Sequence, residues 1–297
     1  MPFLFHNRRR HFTQSGGGSP ALPEGSWTFS SDDFPDEVTW LTSSLPSSPY
    51  AVCPTHDGDG VLVLSTYAAN AYFDSGSCEG FNLASYSQSS RSTSRFQPSV
   101  LCTHDGLRYL LQKANVNTTL CILSASTAYD LTTLDTTALS SSGSTYNPFG
   151  ENDDGEGFAW ASVSPDGEHV LFLSGDINDV RRLRSFDLGT AWDISSHTNA
   201  KCSIVSKGGP AWVNPNGCQI IQAEYATSTT YDIVLYTLSA PWDASSVSGT
   251  GVKLGTVTLP SATAVTSVFV NPDGDKIVIV LFSGKYAIID MPEEDDT

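Results

Sequence analysis

The sequence predicts an all-β fold, a five-bladed β-propeller, and two repeated phrases with one locked spacing carry that prediction. The first phrase is a turn that occurs five times: Thr55-His56-Asp57-Gly58, Thr103-His104-Asp105-Gly106, Ser164-Pro165-Asp166-Gly167, Asn214-Pro215-Asn216-Gly217 and Asn271-Pro272-Asp273-Gly274. Its glycines are 48, 61, 50 and 57 residues apart. The second phrase is Ala191-Trp192-Asp193-Ile194-Ser195, matched by Pro241-Trp242-Asp243-Ala244-Ser245, and each Trp lies 25 residues after its turn glycine. Repeats of roughly 40–50 residues built only of strands mark a propeller.

Each turn stands between two apolar runs. Before the turns come Tyr50-Ala51-Val52, Val100-Leu101-Cys102, Ala161-Ser162-Val163, Ala211-Trp212-Val213 and Val268-Phe269-Val270. After them come Val61 to Leu64, Leu107 to Leu111, Val170 to Leu173, Ile220-Ile221 and Ile277 to Phe282. Third strands are expected at Leu120 to Leu123, Leu183 to Leu188 and Ile233 to Leu238, ahead of the aromatic-Asp turns. A weaker aromatic-Asp turn is Tyr129-Asp130. Fourth strands are expected at Lys201 to Val205 and Val252 to Leu259. The first and fifth repeats lack the aromatic-Asp phrase, and the first has Phe81-Asn82-Leu83-Ala84-Ser85-Tyr86 in its place.

The fifth repeat runs Val265 to Val270, Lys276 to Phe282 and Lys285 to Ile289, then gives way to the acidic Glu293 to Asp296. It is one outer strand short. An open edge invites further pairing, so the N-terminal side is expected to supply the strand, from Ser26-Trp27-Thr28-Phe29 or from Val38-Thr39-Trp40-Leu41. The repeated Asp reads as a turn-shaping residue that bonds its own backbone. The repeated Trp reads as a large ring filling the wedge between two twisted sheets.

The chain of 297 residues divides into residues 1–24, an N-terminal anchor with a Gly-rich hinge, and residues 25–297, the propeller domain. Acidic residues number 32 and Lys plus Arg 15, for a net charge of −17. Arg8, Arg9 and Arg10 are three of those fifteen, so the remainder is 12 against 32. An acidic body of this kind repels nucleic acid and anionic membranes. The longest apolar run, Ile277 to Phe282, is far too short to span a bilayer. Pro2-Phe3-Leu4-Phe5 is too short for the apolar core of an export signal, and its arginines follow instead of preceding.

Six cysteines stand at 53, 78, 102, 121, 202 and 218, with no Cys-x-x-Cys spacing. Cys102, Cys121 and Cys202 fall in expected strands, which makes them buried, reduced, small apolar residues. A Cys53–Cys78 bridge stays open as an alternative.

Two segments are candidate contact surfaces. Phe3, Leu4 and Phe5 followed by Arg8, Arg9 and Arg10 form an apolar-then-basic segment ahead of the hinge Gly16-Gly17-Gly18, the layout of a peptide that docks into another protein. The longest gap between repeats holds Tyr146, Asn147 and Phe149 beside the acidic loop 151–156 with Asp153 and Asp154. That loop offers oxygen ligands yet lacks the twelve-residue calcium pattern, so it reads as a solvated insertion that carries contacts.

Catalytic constellations are missing. The six histidines show no His-x-x-x-His spacing, and there is neither a Gly-x-Ser-x-Gly elbow nor a phosphate-binding glycine loop. The runs before the turns hold no Asp or Glu apart from Glu156 at one edge, so a propeller glycosidase lacks its pair of axial carboxylates. No enzyme, metal or cofactor is expected.

The units from Ser164 to Ser195 and from Asn214 to Ser245 resemble a degenerate propeller repeat, "SPDG…PWDIS", found in virion and tail proteins of marine bacteriophages and in bacterial surface proteins. The resemblance implies a non-enzymatic virion component, assembled in the host cytoplasm in several copies. Neighbouring tail or capsid proteins would be its partners, with contact to a host surface glycan. It supplies no catalytic residues. The alternative function is a carbohydrate-binding propeller that uses Trp192, Trp242 and Tyr129 as stacking platforms; those rings would then have to be exposed.

Overall fold

The computed structural model describes residues 26–46, 48–54, 60–67, 70–79, 82–94, 96–102, 107–113, 120–127, 130, 133, 135, 145–146, 157–175, 181–205, 208–271 and 273–291. The chain is all-β and of the β-propeller type: among the described residues its strands form five four-stranded antiparallel sheets and no α-helix. The first sheet is β2 (Pro49–Pro54), β3 (Gly60–Tyr67), β4 (Asn70–Glu79) and β5 (Asn82–Ser94). The second is β6 (Phe96–Cys102), β7 (Arg108–Lys113), β8 (Leu120–Ser124) and β9 (Thr145–Tyr146). The third is β10 (Gly157–Val163), β11 (His169–Gly175), β12 (Arg181–Leu188) and β13 (His197–Val205). The fourth is β14 (Ala211–Val213), β15 (Gln219–Thr227), β16 (Thr230–Thr237) and β17 (Val252–Thr258). The fifth is β18 (Val265–Val270), β19 (Lys276–Leu281), β20 (Lys285–Asp290) and, from the other end of the chain, β1 (Leu41–Thr42).

The first strands of the sheets pack on one another in succession: β18 on β2, β2 on β6, β6 on β10, β10 on β14 and β14 on β18. The second strands are the most deeply buried. Ile277, Val278, Ile279, Val280 and Leu281 of β19 are all inaccessible, because alternate residues face the sheets on either side. A continuous apolar run is what a strand buried on both faces requires. Each such side chain contributes about 1.5–3 kcal/mol on full burial.

The turn phrase builds the same hairpin in sheets three, four and five. The first residue's N–H donates across the hairpin: Ser164 to His169 O, Asn214 to Gln219 O and Asn271 to Lys276 O, at 2.9, 3.0 and 3.1 Å. The glycines take φ of +77° at Gly167, +72° at Gly217 and +74° at Gly274. In sheets three and four the turn Asp or Asn side chain accepts from the backbone two residues on, Asp166 from Glu168 N (3.0 Å) and Asn216 from Cys218 N (2.9 Å), whereas in sheet five Asp275 N–H donates to Asn271 Oδ1 (3.1 Å). They shape the turn, as the sequence implied. The Thr-His-Asp-Gly turns of the first two repeats lie outside the described residues.

The Trp of the second phrase returns to its own turn glycine. Trp192 N–H donates to Gly167 O and Trp242 N–H to Gly217 O, both at 2.9 Å. The rings lie where a Cβ on those glycines would stand, 2.2 Å from the nearest ring atom in each case. Both tryptophans pay in backbone conformation, with φ of +66° and +57°, a region that costs a bulky residue of order 1–3 kcal/mol. The next residue caps a short 3-10 turn: Asp193 accepts from Ser195 N and Asp243 from Ser245 N. Trp242 is buried in a cluster that draws Leu171, Leu173 and Leu183 from sheet three and Val213, Ile220 and Val234 from sheet four. Trp192 packs against the equivalent cluster, with Leu110 of sheet two.

The N-terminal segment completes sheet five, but with a shorter strand than expected. Only Leu41 and Thr42 pair with β20, opposite Tyr286 and Lys285. Residues Ser26 to Phe29 form no strand; they bring Trp27 to the turn glycine Gly274, with ring atoms 3.1 and 3.7 Å from a Cβ placed there. Trp27 is buried among Ile221, Ala223 and Leu254 of sheet four and Val268, Val270 and Ile277 of sheet five. It thus fills the wedge that Trp242 fills one sheet earlier. Between Trp27 and β1 the segment crosses sheet four: Phe34 occupies the space left by Gly255 on β17, and Trp40 Nε1 donates to Thr258 O at 2.9 Å. Past β1, Ser43 N–H donates to Gly284 O, and Ser44 N–H to Leu83 O of sheet one.

Cys202 is exposed, against expectation, because it sits on β13, an outer strand opposite Arg184. Cys53 and Cys218 are buried, and all three are unbridged. The side chains of Cys78, Cys102 and Cys121 lie outside the described residues.

Candidate functional site

Most residues singled out in the sequence as contact residues fall outside the described residues: Phe3, Leu4, Phe5, Arg8, Arg9, Arg10, Asn147, Phe149, Asp153 and Asp154. Tyr146 is placed on β9, opposite Leu120. The aromatic-Asp turns are described in full at Trp192 and Trp242. Trp242 is 8% exposed. Trp192 is half-buried, with Gly167 beneath one face and the Arg108 guanidinium 4.9 Å from its ring centroid.

The aromatic-Asp turns also clasp neighbouring sheets. Lys201 of β13 reaches Asp243 of the next repeat, Nζ to Oδ2, at 2.7 Å. Ala244 N–H donates to Ser185 Oγ at 2.9 Å, a buried bond between the same two sheets. Burial pushes the Asp243 carboxyl up, but hydrogen bonds from Lys201 and Ser245 outweigh it and hold the group below its ordinary range.

The wedge between sheets three and four breaks the apolar pattern. Counted from the residue that accepts the turn's first N–H, Gln222 falls where sheets three and five have Phe172 and Ile279, and Glu224 where they have Ser174 and Leu281. Gln222 and Glu224 are nonetheless buried. Glu224 accepts a hydrogen bond from the Tyr236 hydroxyl. Its cross-strand neighbour is another carboxylate, Asp232, which Lys253 Nζ and Thr256 Oγ1 each meet at 2.8 Å. Nothing in the turn phrases signals this group; a break in the apolar run Ile220-Ile221-Gln222-Ala223-Glu224 was its only trace in the sequence. A buried carboxylate is retained only where hydrogen bonds satisfy it, and the Tyr236 hydroxyl supplies one to Glu224 from the neighbouring strand of the same sheet.

On the third turn a different set converges. Asp166, Glu168 and His169 bring one ligand atom each within 4.8 Å of one another. His169 Nδ1 lies 2.8 Å from Asp187 Oδ1, and Asp187 Oδ2 accepts from Asn199 Nδ2 at 3.0 Å. Burial raises the Asp187 carboxyl, and the bonds from Asn199 and His169 more than offset that, leaving it below its ordinary value.

None of the five first strands carries an Asp, Glu, His, Lys or Arg anywhere along its described length. Trp212 of β14 lies there instead, its ring 6.2 Å from that of Phe269 on β18. Among the described residues no helix is long and apolar enough to cross a membrane.

No family model and no curated protein matches the chain. Solved structures do. The chain is similar to hydrazine synthase of Kuenenia stuttgartiensis at 13% identity and a TM-score of 0.41, over 81% of this chain and 57% of that one. It is similar to a periplasmic gluconolactonase of Pseudomonas aeruginosa at 11% identity and a TM-score of 0.46, over 80% and 66%. TolB from Acinetobacter baumannii matches at 13% identity and a TM-score of 0.41, over 86% and 56%. The chain therefore spans little more than half the length of two of these proteins, and no residue role is carried over from them.

Proposed function

We propose that this chain is a five-bladed β-propeller closed by its N-terminal segment, and that it serves as a non-enzymatic bacteriophage virion protein. Residues 1–24 are its docking peptide and the propeller is the displayed body. The observation that supports a non-enzymatic role is the composition of the five first strands. These are the strands that line the axis of a propeller, and along their described length they carry no Asp, Glu, His, Lys or Arg to serve as an acid-base pair. The carboxylates Glu224 and Asp232 lie on the second and third strands of one sheet and are already engaged by Tyr236, Lys253 and Thr256. The virion setting rests on the repeat phrases and on the apolar-then-basic segment ahead of the glycine hinge.

Burial of Trp242 and the contacts of the Trp192 ring with Gly167 and Arg108 favour this reading over a lectin that stacks sugars on those two rings; Tyr129 lies outside the described residues. The test is incorporation. A chain lacking residues 1–24 should fold and yet be absent from purified particles, because Phe3, Leu4 and Phe5 bury apolar surface in the neighbouring protein and Arg8 to Arg10 pair with its carboxylates. Wild-type incorporation of the truncated chain would overturn the docking role. Charge reversal at Arg8, Arg9 and Arg10 alone separates the ionic from the apolar part.

A further inference from the structure

We propose that the third turn is a binding site for a divalent transition-metal ion, zinc by its donor set, with Asp166, Glu168 and His169 as ligands and Asp187 as the residue that positions the histidine. The site is centred on His169. Its Nδ1 is engaged by Asp187 Oδ1 at 2.8 Å, and Asp187 is itself held through its other oxygen by Asn199, a residue at φ +53°. An aspartate on Nδ1 leaves the lone pair on Nε2, the arrangement in which a carboxylate orients and strengthens a metal-binding imidazole.

The donors are free to act. Ser164 and the Glu168 N–H meet Asp166 at Oδ1 only, so Oδ2 is available. Both carboxylates are exposed and His169 is half-buried. Ligand atoms around a tetrahedral ion at zinc distances of 2.0–2.2 Å stand about 3.4 Å apart. A rotation of the exposed Glu168 side chain closes the set from the 4.8 Å within which it now lies. One nitrogen and two carboxylate oxygens suit zinc or a neighbouring first-row ion better than calcium, whose sites are all oxygen. The equivalent turns differ. At the three ligand positions sheet four has Asn216, Cys218 and Gln219, and sheet five has Asp273, Asp275 and Lys276. In sheet five the counterpart of the His169–Asp187 pair is an ordinary ion pair, Lys276 to Asp290. Three protein ligands would leave a fourth tetrahedral position for water.

The experiment uses the full-length chain without a histidine tag, stripped with chelator. Co²⁺ uptake is followed by its visible absorption, and Zn²⁺ by calorimetry and by displacement of Co²⁺. Wild type should bind one equivalent that His169→Gln does not. Asp187→Asn should keep the stoichiometry and weaken affinity about 10–100-fold, as loss of an outer-shell partner does. Ca²⁺ should not displace Co²⁺. Should the His169 variant fail to fold, Glu168→Gln, at an exposed position, replaces it and should also weaken binding at least tenfold. Equal affinity in wild type and these variants, or no uptake by wild type, overturns the site; unchanged affinity in Asp187→Asn overturns the part given to Asp187.

Discussion

The indole of Trp27 lies over Gly274, 3.1 Å from the position a Cβ would take there, although the two residues stand at opposite ends of the chain. Trp192 on Gly167 and Trp242 on Gly217 make the same contact within their own repeats. The fifth repeat, which has no Trp of its own, thus receives one from the segment that also gives it its fourth strand. Gln219 locks the segment in place: it accepts from Trp27 N–H at 2.5 Å and donates to Trp27 O at 2.9 Å. Trp27→Ala should therefore cost about 3–5 kcal/mol, the range for truncating a buried aromatic, and Trp242→Ala a similar amount. Urea unfolding of the two variants checks this.

Gly217 should not tolerate a side chain. At φ +72°, with the Trp242 ring 2.2 Å from a Cβ, Gly217→Ala combines backbone strain with overpacking and should lose at least about 2 kcal/mol. Gly249, at φ +28° with nothing within 4 Å, isolates the backbone part. Gly249→Ala should cost about 1 kcal/mol or less. Equal losses would mean the ring contact contributes nothing.

This relationship marks how far the sequence could be read. The Pro-Asp-Gly and Trp-Asp phrases announced their own turns, because φ > 0 and side-chain capping are local demands written in local residues. Trp27 could not be matched to Gly274 in the same way. Its partner lies nearly the whole chain away, its neighbours Thr28 and Phe29 do not continue the phrase, and only the packed wedge brings the two together. Glu224 was hidden for a related reason: nothing short of the Tyr236 hydroxyl distinguishes it from a solvated strand residue. Cys202 was misread as buried because strand position alone does not say whether a strand is inner or outer.

Tyr236→Phe leaves the buried Glu224 carboxylate without its hydroxyl donor and should destabilise by about 1–3 kcal/mol. Adding Glu224→Leu, the residue type that sheet five has at this position as Leu281, should recover part of the loss, since replacing both partners by apolar groups is far cheaper than removing one. A double variant less stable than Tyr236→Phe alone would contradict the pairing.

Acid should weaken the clasps between and within sheets three and four. Asp166, Asp187 and Asp243 are all held below the ordinary carboxylate value in the folded chain. A depressed carboxyl contributes stability that is complete above its unfolded value and lost as pH falls through the folded one, so the loss should begin below about pH 4. Thermal midpoints between pH 6 and 2.5 should fall in that window, and Asp243→Asn should flatten the fall. High salt should reduce the Lys201–Asp243 part first, as that pair lies near the surface.

Native thiol labelling should distinguish the described cysteines. Cys202 is exposed and should react within the mixing time of an ordinary disulfide reagent, whereas Cys53 and Cys218 are buried, and burial raises the Cys218 thiol above its usual value. Cys202→Ser should remove the fast reaction assigned to Cys202. Rapid labelling of Cys218 in the folded protein, located by peptide mass, would contradict its placement.

Closure by the N-terminal segment is tested most directly by comparing two truncations in the same denaturant titration. Removal of residues 1–24 should leave the unfolding midpoint and its cooperativity unchanged, because the contacts of Trp27, Phe34, Trp40 and β1 all remain. Removal of residues 1–42 should lower the midpoint sharply, exposing the wedge at Gly274 and the edge of β20. Equal midpoints for the two truncations would contradict the account, since the ring would then hold without Trp27 and β1.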